Sequence, residues 1–392
     1  MLRKKESNLC LESKPLMRRA AYILIFLCFS LAVRSQDQAS KSVRRQPYLQ
    51  LNYHSGNFWT RSVYVQEIAQ DPYKALELRF GFQSIGKEFW QQYHKYPKYG
   101  LGMHYSDLVK NPADTTMGNP FSLFMFYSGP WTRWGRFTLA TDISVGLSYM
   151  DRIHDPITNP YNDVIASHIN LYFDLNINLG FRIGKRMDLY AGYGLTHYSN
   201  GRIRQPQKGV NNWGWTAGMS YLLNEPVEAF IYQEPPEFYS SERIQLMYSV
   251  GVAEEVFPDS SSKVSYFTSS FTADYAYQFN PKMAVTIGID VLYDASLGIA
   301  IPGIPPDQVS DWQKTYLASH MGFQYIIKRF RFLFNLGTYF RQHSYDRGFA
   351  FARAGGRIQI TDPLSVHICI KTKQGIRADW IEWGAAYSFK VR

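Results

Sequence analysis

The sequence predicts an all-β chain: a transmembrane, antiparallel, up-and-down β-barrel of about sixteen strands that follows a cleaved signal peptide. Three observations carry this. An apolar run lies near the N-terminus, long segments alternate strictly between apolar and polar residues, and short turns alternate with longer loops along the chain.

The apolar run covers 20–33 (AAYILIFLCFSLAV), 14 residues without a charge. A membrane-spanning helix needs ~20 residues, so the run fits the hydrophobic region of a signal peptide instead. Arg18 and Arg19 precede it, and Val33-Arg34-Ser35 places small and aliphatic residues for cleavage before Gln36. Met17 is an alternative start to Met1. The expected division is thus a signal peptide at 1–35 and a mature outer-membrane barrel at 36–392. Cys10 and Cys28 fall in the first part, so Cys369 alone remains in the second and cannot form an internal disulfide.

Residues 1–35 hold seven Lys/Arg and two Asp/Glu, so of the net charge of +10 only +5 belongs to the mature chain. No basic run accompanies it, and a nucleic-acid partner is not expected. Aromatic residues make up 16% of the chain, with 29 Tyr, and few segments have a helical period, which points to sheet. A short helical piece is expected near 85–93.

The segment 165–182 shows the strand pattern most clearly. Its odd positions run Ile165, Ser167, Ile169, Leu171, Phe173, Leu175, Ile177, Leu179, Phe181, and its even positions are polar or small. At ~3.3 Å per residue this is a strand of ~55 Å, longer than soluble domains use, with one face for lipid and one for a lumen. Similar alternation recurs at 283–294, 331–341 and 381–389. The last of these ends near Phe389, as in strands that barrel-assembly machinery recognises, so that machinery is an expected partner.

Turns at 184–186, 280–282, 328–329 and 361–363 are short, and the connections 200–212, 299–312, 343–348 and 374–378 are longer. Short periplasmic turns and longer outer loops are the outer-membrane pattern. Counting this way places strands near 46–55, 73–82, 97–106, 120–128, 134–150, 164–182, 186–199, 212–223, 242–252, 263–279, 282–298, 313–327, 329–341, 349–360, 364–373 and 379–391. Twelve or fourteen strands remain open. A Pro- and Glu-rich connector, 224–241, separates a first half (45–223) from a second (242–392). One barrel is preferred over two small ones.

Thr196-His197-Tyr198-Ser199-Asn200-Gly201 ends the strand at 186–199. His197 and Ser199 are two apart and so share a face. Their row continues through Leu195, Tyr193, Ala191 and Leu189, the lipid-facing side. A His that takes the Ser proton makes a nucleophile, and polar groups facing lipid tend to mark function. The following loop carries Arg202, Arg204 and Lys208, either a clamp for anionic groups or an ordinary solvated loop. Lumen-facing His168, Asn170, Asp174 and Asn176 read as a polar plug. His54-Ser55-Gly56 and His343-Ser344 are weak echoes of the His/Ser pair. No Cys/His metal spacing, phosphate loop or nucleotide motif appears, so no metal and no cofactor are expected.

The stretch 192–201 (GYGLTHYSNG), with Gln205-Pro206, Gly209-Val210-Asn211 and Asn159-Pro160-Tyr161-Asn162, resembles the lipid A 3-O-deacylase family, also called acyloxyacyl hydrolase, mainly over 120–223. The resemblance implies a cofactor-free esterase acting on lipid A of lipopolysaccharide in the outer membrane. His197 would be the general base, Ser199 the nucleophile and Asn200 an oxyanion donor, a role often worth ~3 kcal/mol. Arg202, Arg204 and Lys208 would contact lipid A phosphates. The family's Glu, about a dozen residues after the Ser, is missing: 201–212 contains no acid, and Asn211 stands at the matching position. Either Asn211 suffices to orient His197, or an acid from another strand or loop does so, or the activity is weak or lost. The alternative is a non-catalytic barrel, a narrow channel or a structural surface protein, on a deacylase-like frame.

Overall fold

A computed structural model describes residues 45–69, 71–108, 117–256, 263–299, 308–342, 348–374 and 377–391. The expected signal peptide at 1–35 and the His343-Ser344 pair lie outside the described residues. The sixteen strands are β1 (Gln46–Phe58), β2 (Tyr73–Gln83), β3 (Lys98–Asp107), β4 (Phe121–Trp134), β5 (Phe137–Tyr149), β6 (Ile169–Ile183), β7 (Met187–Ser199), β8 (Val210–Leu222), β9 (Ser241–Val256), β10 (Lys263–Asn280), β11 (Met283–Asp294), β12 (Thr315–Ile327), β13 (Phe330–Arg341), β14 (Ala350–Gln359), β15 (Leu364–Lys373) and β16 (Arg377–Lys390). Short helices α1 (Val63–Ile68) and α2 (Phe89–Tyr93) lie in the first and second connections.

Strand number and up-down order follow the sequence, but closure does not. β1 pairs with β8 along Tyr48–Phe58, and β16 pairs with β9, so the chain forms two closed eight-stranded barrels rather than one of sixteen. The alternation of faces is identical in both arrangements and cannot choose between them. The choice lies in the lumens. Eight strands enclose a space that side chains just fill. Arg79 on β2 reaches Asp142 on β5 at 2.6 Å, and Arg353 on β14 reaches Asp290 on β11 at 2.9 Å and Glu382 on β16 at 2.6 Å. Such cross-lumen pairs need opposing walls within one side chain's length. Removing one partner of a buried pair strands the other charge. Arg353→Met is therefore expected to cost ~3–5 kcal/mol, read as a lowered urea midpoint of the full chain in lipid vesicles.

The outward faces remain apolar and exposed, as Leu101, Met125, Leu147, Ile287, Met321 and Leu336 show. Among the described residues no helix is long and apolar enough to cross a membrane. Cys369 is buried and free.

Two local expectations fail. The strand expected from 164 starts at Ile169 instead. Val164 and Ile165 turn inward under the outer loops, where Asn162 Oδ1 accepts from both their backbone N–H groups and Gly209 N donates to Val164 O. His168, expected in the lumen, is instead exposed, stacked on Tyr149 and bonded through Nδ1 to Met150 O. Asn170, Asp174 and Asn176 do line the lumen.

The barrels also meet at the short-turn end. His94, just after α2, has Nε2 2.8 Å from Ile326 O and Nδ1 2.8 Å from the hydroxyls of Tyr127 and Tyr325. The backbone carbonyl can only accept, so Nε2 carries the proton and Nδ1 accepts from a tyrosine. Burial holds this imidazole down to about 4, from an ordinary value near 6.5. A depressed pKa means that the folded state prefers the neutral ring. Its contribution is complete above pH 6.5 and fades as pH falls toward 4. The thermal midpoint of wild type should drop across that window, and His94→Gln should flatten the drop.

Candidate functional site

The strand register builds the site. On β7 the even residues face the lumen, with Thr196 and Tyr198 buried, and the odd ones face outward. His197 pairs directly with Asn211 on β8 and with Phe173 on β6. Cross-strand partners bring their side chains within reach, and His197 Nδ1 lies 2.6 Å from Asn211 Oδ1. The Asn211 amide is itself oriented. Its Nδ2 donates to Trp59 O at 3.2 Å, and its backbone carbonyl accepts from Trp59 N at 2.8 Å. The amide oxygen therefore faces the ring and accepts from Nδ1–H. That selects the tautomer with a bare Nε2, which has no hydrogen-bond partner among the described residues.

Ser199 shares the outward face but is 5% exposed, covered by the 200–209 loop. Its Oγ accepts from Gly201 N at 3.1 Å and from the Gln207 side-chain amide. Gly209 (φ 71) sits in the corner between the pair: a Cβ added there would lie 3.2 Å from His197 Cε1 and 3.8 Å from Ser199 Cβ. A glycine is thus needed both for its conformation and to keep this corner open.

Asn200 is already engaged. Its Nδ2 donates to Ser167 Oγ at 2.8 Å and to Arg204 O at 3.1 Å, and its Oδ1 accepts from Arg202 N at 3.0 Å. Arg202 is not a surface cation. It is buried, paired with Asp379 at 3.2 Å and with Glu255, both on the second barrel. Arg204 is exposed, and Lys208 pairs with Asp163 at 2.5 Å. The structure therefore brings together His197, Asn211 and Ser199, and it adds two donors that the sequence reading missed, Gly201 N and Gln207. Backbone donors leave no residue-type signature. Gln207 could have been found only from its place beside the Gln205-Pro206 motif.

The second barrel packs onto this corner. A Cβ on Gly201 (φ 63) would come 2.3 Å from Ile381 Cγ1 and 3.1 Å from Ile370 Cδ1. Gly201→Ala should therefore displace Ser199's backbone donor or the second barrel, with a cost of ~1–3 kcal/mol. Adding Ile381→Ala should recover most of the lost stability. Additive losses in thermal midpoint would show that the two residues do not touch.

Chemically, a serine hydroxyl with nearby donors and an oriented, proton-accepting histidine on one face is a set suited to acyl transfer. A model described as lipid A 3-O-deacylase (PagL) matches residues 74–220, and one described as acyloxyacyl hydrolase, C-terminal domain, matches 242–391. None of the curated proteins matches the chain. Among solved structures, the crystal structure of Neisserial surface protein A (NspA) matches at 11% identity and TM-score 0.31, covering 45% of this chain and 96% of that one. The crystal structure of the outer membrane enzyme PagL matches at 14% identity and TM-score 0.30, covering 43% and 97%. The two family models lie end to end, one on each barrel, and the chain belongs to the lipid A 3-O-deacylase (acyloxyacyl hydrolase) family.

Proposed function

We propose that this protein is an outer-membrane esterase that hydrolyses an acyl ester of lipid A from the side of its first barrel. The observation that carries the reading is the outward-facing His197, held through Nδ1 by the Trp59-oriented amide of Asn211. Ser199 is the nucleophile. His197 Nε2 takes its proton as Oγ attacks the ester carbonyl, then returns a proton to the leaving alkoxide. Water, with the same base, frees the acyl group from Ser199. The hydrogen bond between Ser199 and His197 is one that forms in the substrate complex, as such bonds often tighten only there.

The Gly201 N–H, 3.1 Å from Ser199 Oγ, and the Gln207 amide are placed to receive the oxyanion. Asn200, whose amide hydrogens are taken by Ser167 and Arg204, serves the site by fixing the 200–204 turn. Exposed Arg204, and Lys208 beside Asp163, are the remaining candidates for lipid A phosphates. The outward direction of the pair and the packed lumens favour chemistry at lipid over conduction.

The test is the lipid A mass spectrum of cells that express the chain in the outer membrane. Loss of one acyl mass is expected, and Ser199→Ala should abolish it. An unchanged spectrum with well-folded wild-type protein would reject the esterase, and stable single-channel conductance would then favour a pore.

A further inference from the structure

The lumen of the first barrel contains three side chains that the proposed chemistry does not use. His54 on β1, Glu77 on β2 and His104 on β3 are all buried. Glu77 and His104 are direct cross-strand partners, and His54 lies two residues beyond Asn52, the partner of Glu77 on β1. The sequence hides the group, because its members are separated by whole strands.

We propose that His54, Glu77 and His104 form a divalent metal site, with zinc as the best-suited ion. The distances are the first reason. Glu77 Oε2 lies 3.7 Å from His54 Nε2 and 3.6 Å from His104 Nδ1, and the three ligand atoms all lie within 4.8 Å of one another. These gaps are too long for hydrogen bonds. They approach the ~3.4 Å edge of a tetrahedron around an ion with bonds of ~2.0–2.1 Å.

Hydrogen bonding is the second reason. The Thr216 hydroxyl donates to Asn176 Oδ1 at 3.3 Å, so at 2.9 Å it accepts from His54 Nδ1–H. That leaves His54 Nε2 as a bare lone pair aimed at the centre of the group. His54 Nε2 and Glu77 Oε2 are both buried without a hydrogen-bond partner. Two buried acceptors facing each other are unfavourable unless a cation lies between them. At His104, Nε2 can donate to Ser106 Oγ at 2.9 Å, which leaves Nδ1 as the lone pair; it accepts from Tyr172 Oη at 3.2 Å, a hydrogen bond that the ion would displace. Such second ring-nitrogen contacts orient metal-binding histidines in general.

Charge is the third reason. Glu77, Asp142 and Asp174 are buried around the group, and Arg79 pairs with the first two. Asp174 is met by the neutral Thr196 and Asn176. The group thus gathers more carboxyl groups than guanidinium groups, an excess that favours a bound cation.

The second barrel provides the contrast. His320 sits 2.6 Å from Asp290 and 3.0 Å from Asp274, at hydrogen-bond length on both ring nitrogens. Those separations are shorter than the ~3.4 Å edge of a tetrahedron around an ion with bonds of ~2.0–2.1 Å.

The experiment uses the full chain extracted from membranes into detergent, loaded with zinc, washed with a weak chelator and subjected to elemental analysis. Wild type and His320→Gln should each retain about one ion per chain. His54→Gln and Glu77→Gln should lose it. Thr216→Val should weaken zinc about 10- to 100-fold, because it removes only the group that orients His54. Cobalt substitution should give the intense visible bands of a tetrahedral site in wild type alone of the site variants. Heat-modifiable migration on gels reports folding. If the variants misfold, the wild-type stoichiometry decides by itself. Wild type that holds well under a tenth of an ion would overturn the proposal and leave a protonated His54–Glu77 pair. Folded Glu77→Gln that keeps its zinc would also overturn it.

Discussion

Ser199→Ala is expected to lower the rate of lipid A deacylation by on the order of 10⁴-fold or more, with both barrels intact. The loss should fall on kcat, since the hydroxyl contributes to bond-making rather than to holding an acyl chain. Folding should survive the change. Ser199 Oγ serves only as an acceptor, for Gly201 N and the Gln207 amide. Losing such neutral bonds costs ~1 kcal/mol each. Single-turnover measurement with purified lipid A in mixed micelles separates the cases. A folded Ser199→Ala variant that keeps wild-type turnover would remove Ser199 from the chemistry.

Asn211→Leu is expected to lower kcat by ~10²–10⁴-fold, the range seen when a serine enzyme's histidine loses its orienting partner. In enzymes built around an acid, exchanging that acid for an amide costs ~10⁴ because the amide favours the wrong tautomer. Here the Trp59 carbonyl takes the amide N–H, which forces the oxygen toward His197 Nδ1. The tautomer is therefore correct, and only the stabilisation of the imidazolium by a negative charge is missing. Asn211→Asp would supply that charge but would set a carboxylate oxygen against the Trp59 carbonyl. Its kcat should exceed that of Asn211→Leu, with lower stability than wild type. If Asn211→Leu retains full activity, His197 is held by some other group and the amide is only a strand partner.

Parts of this molecule were legible in the sequence to different degrees. Strand order and the outward direction of His197 and Ser199 follow from a period of two, which every residue of a long strand reinforces. The start of β6 is not legible in the alternation, because Val164 and Ile165 are apolar for another reason, burial under outer loops. Arg202 read as a surface cation, yet it is buried against Asp379 and Glu255, residues nearly 180 and just over 50 positions away. Charge alone does not reveal a partner at such distance.

By itself the sequence determined the barrel fold, a count of about sixteen strands with twelve or fourteen still open, the side on which the His/Ser pair lies and the residue that could stand in for the absent acid. Alternation is a local property, and it carries these statements without reference to any other strand. The tertiary structure decided what depends on which strands meet. It closed two barrels where the alternation allowed one. It turned the Asn211 amide by means of Trp59, placed the Gly201 and Gln207 donors on Ser199 and gathered His54, Glu77 and His104 within one lumen. Closure and register are long-range choices, made by the charges that must find each other across a lumen only one side chain wide.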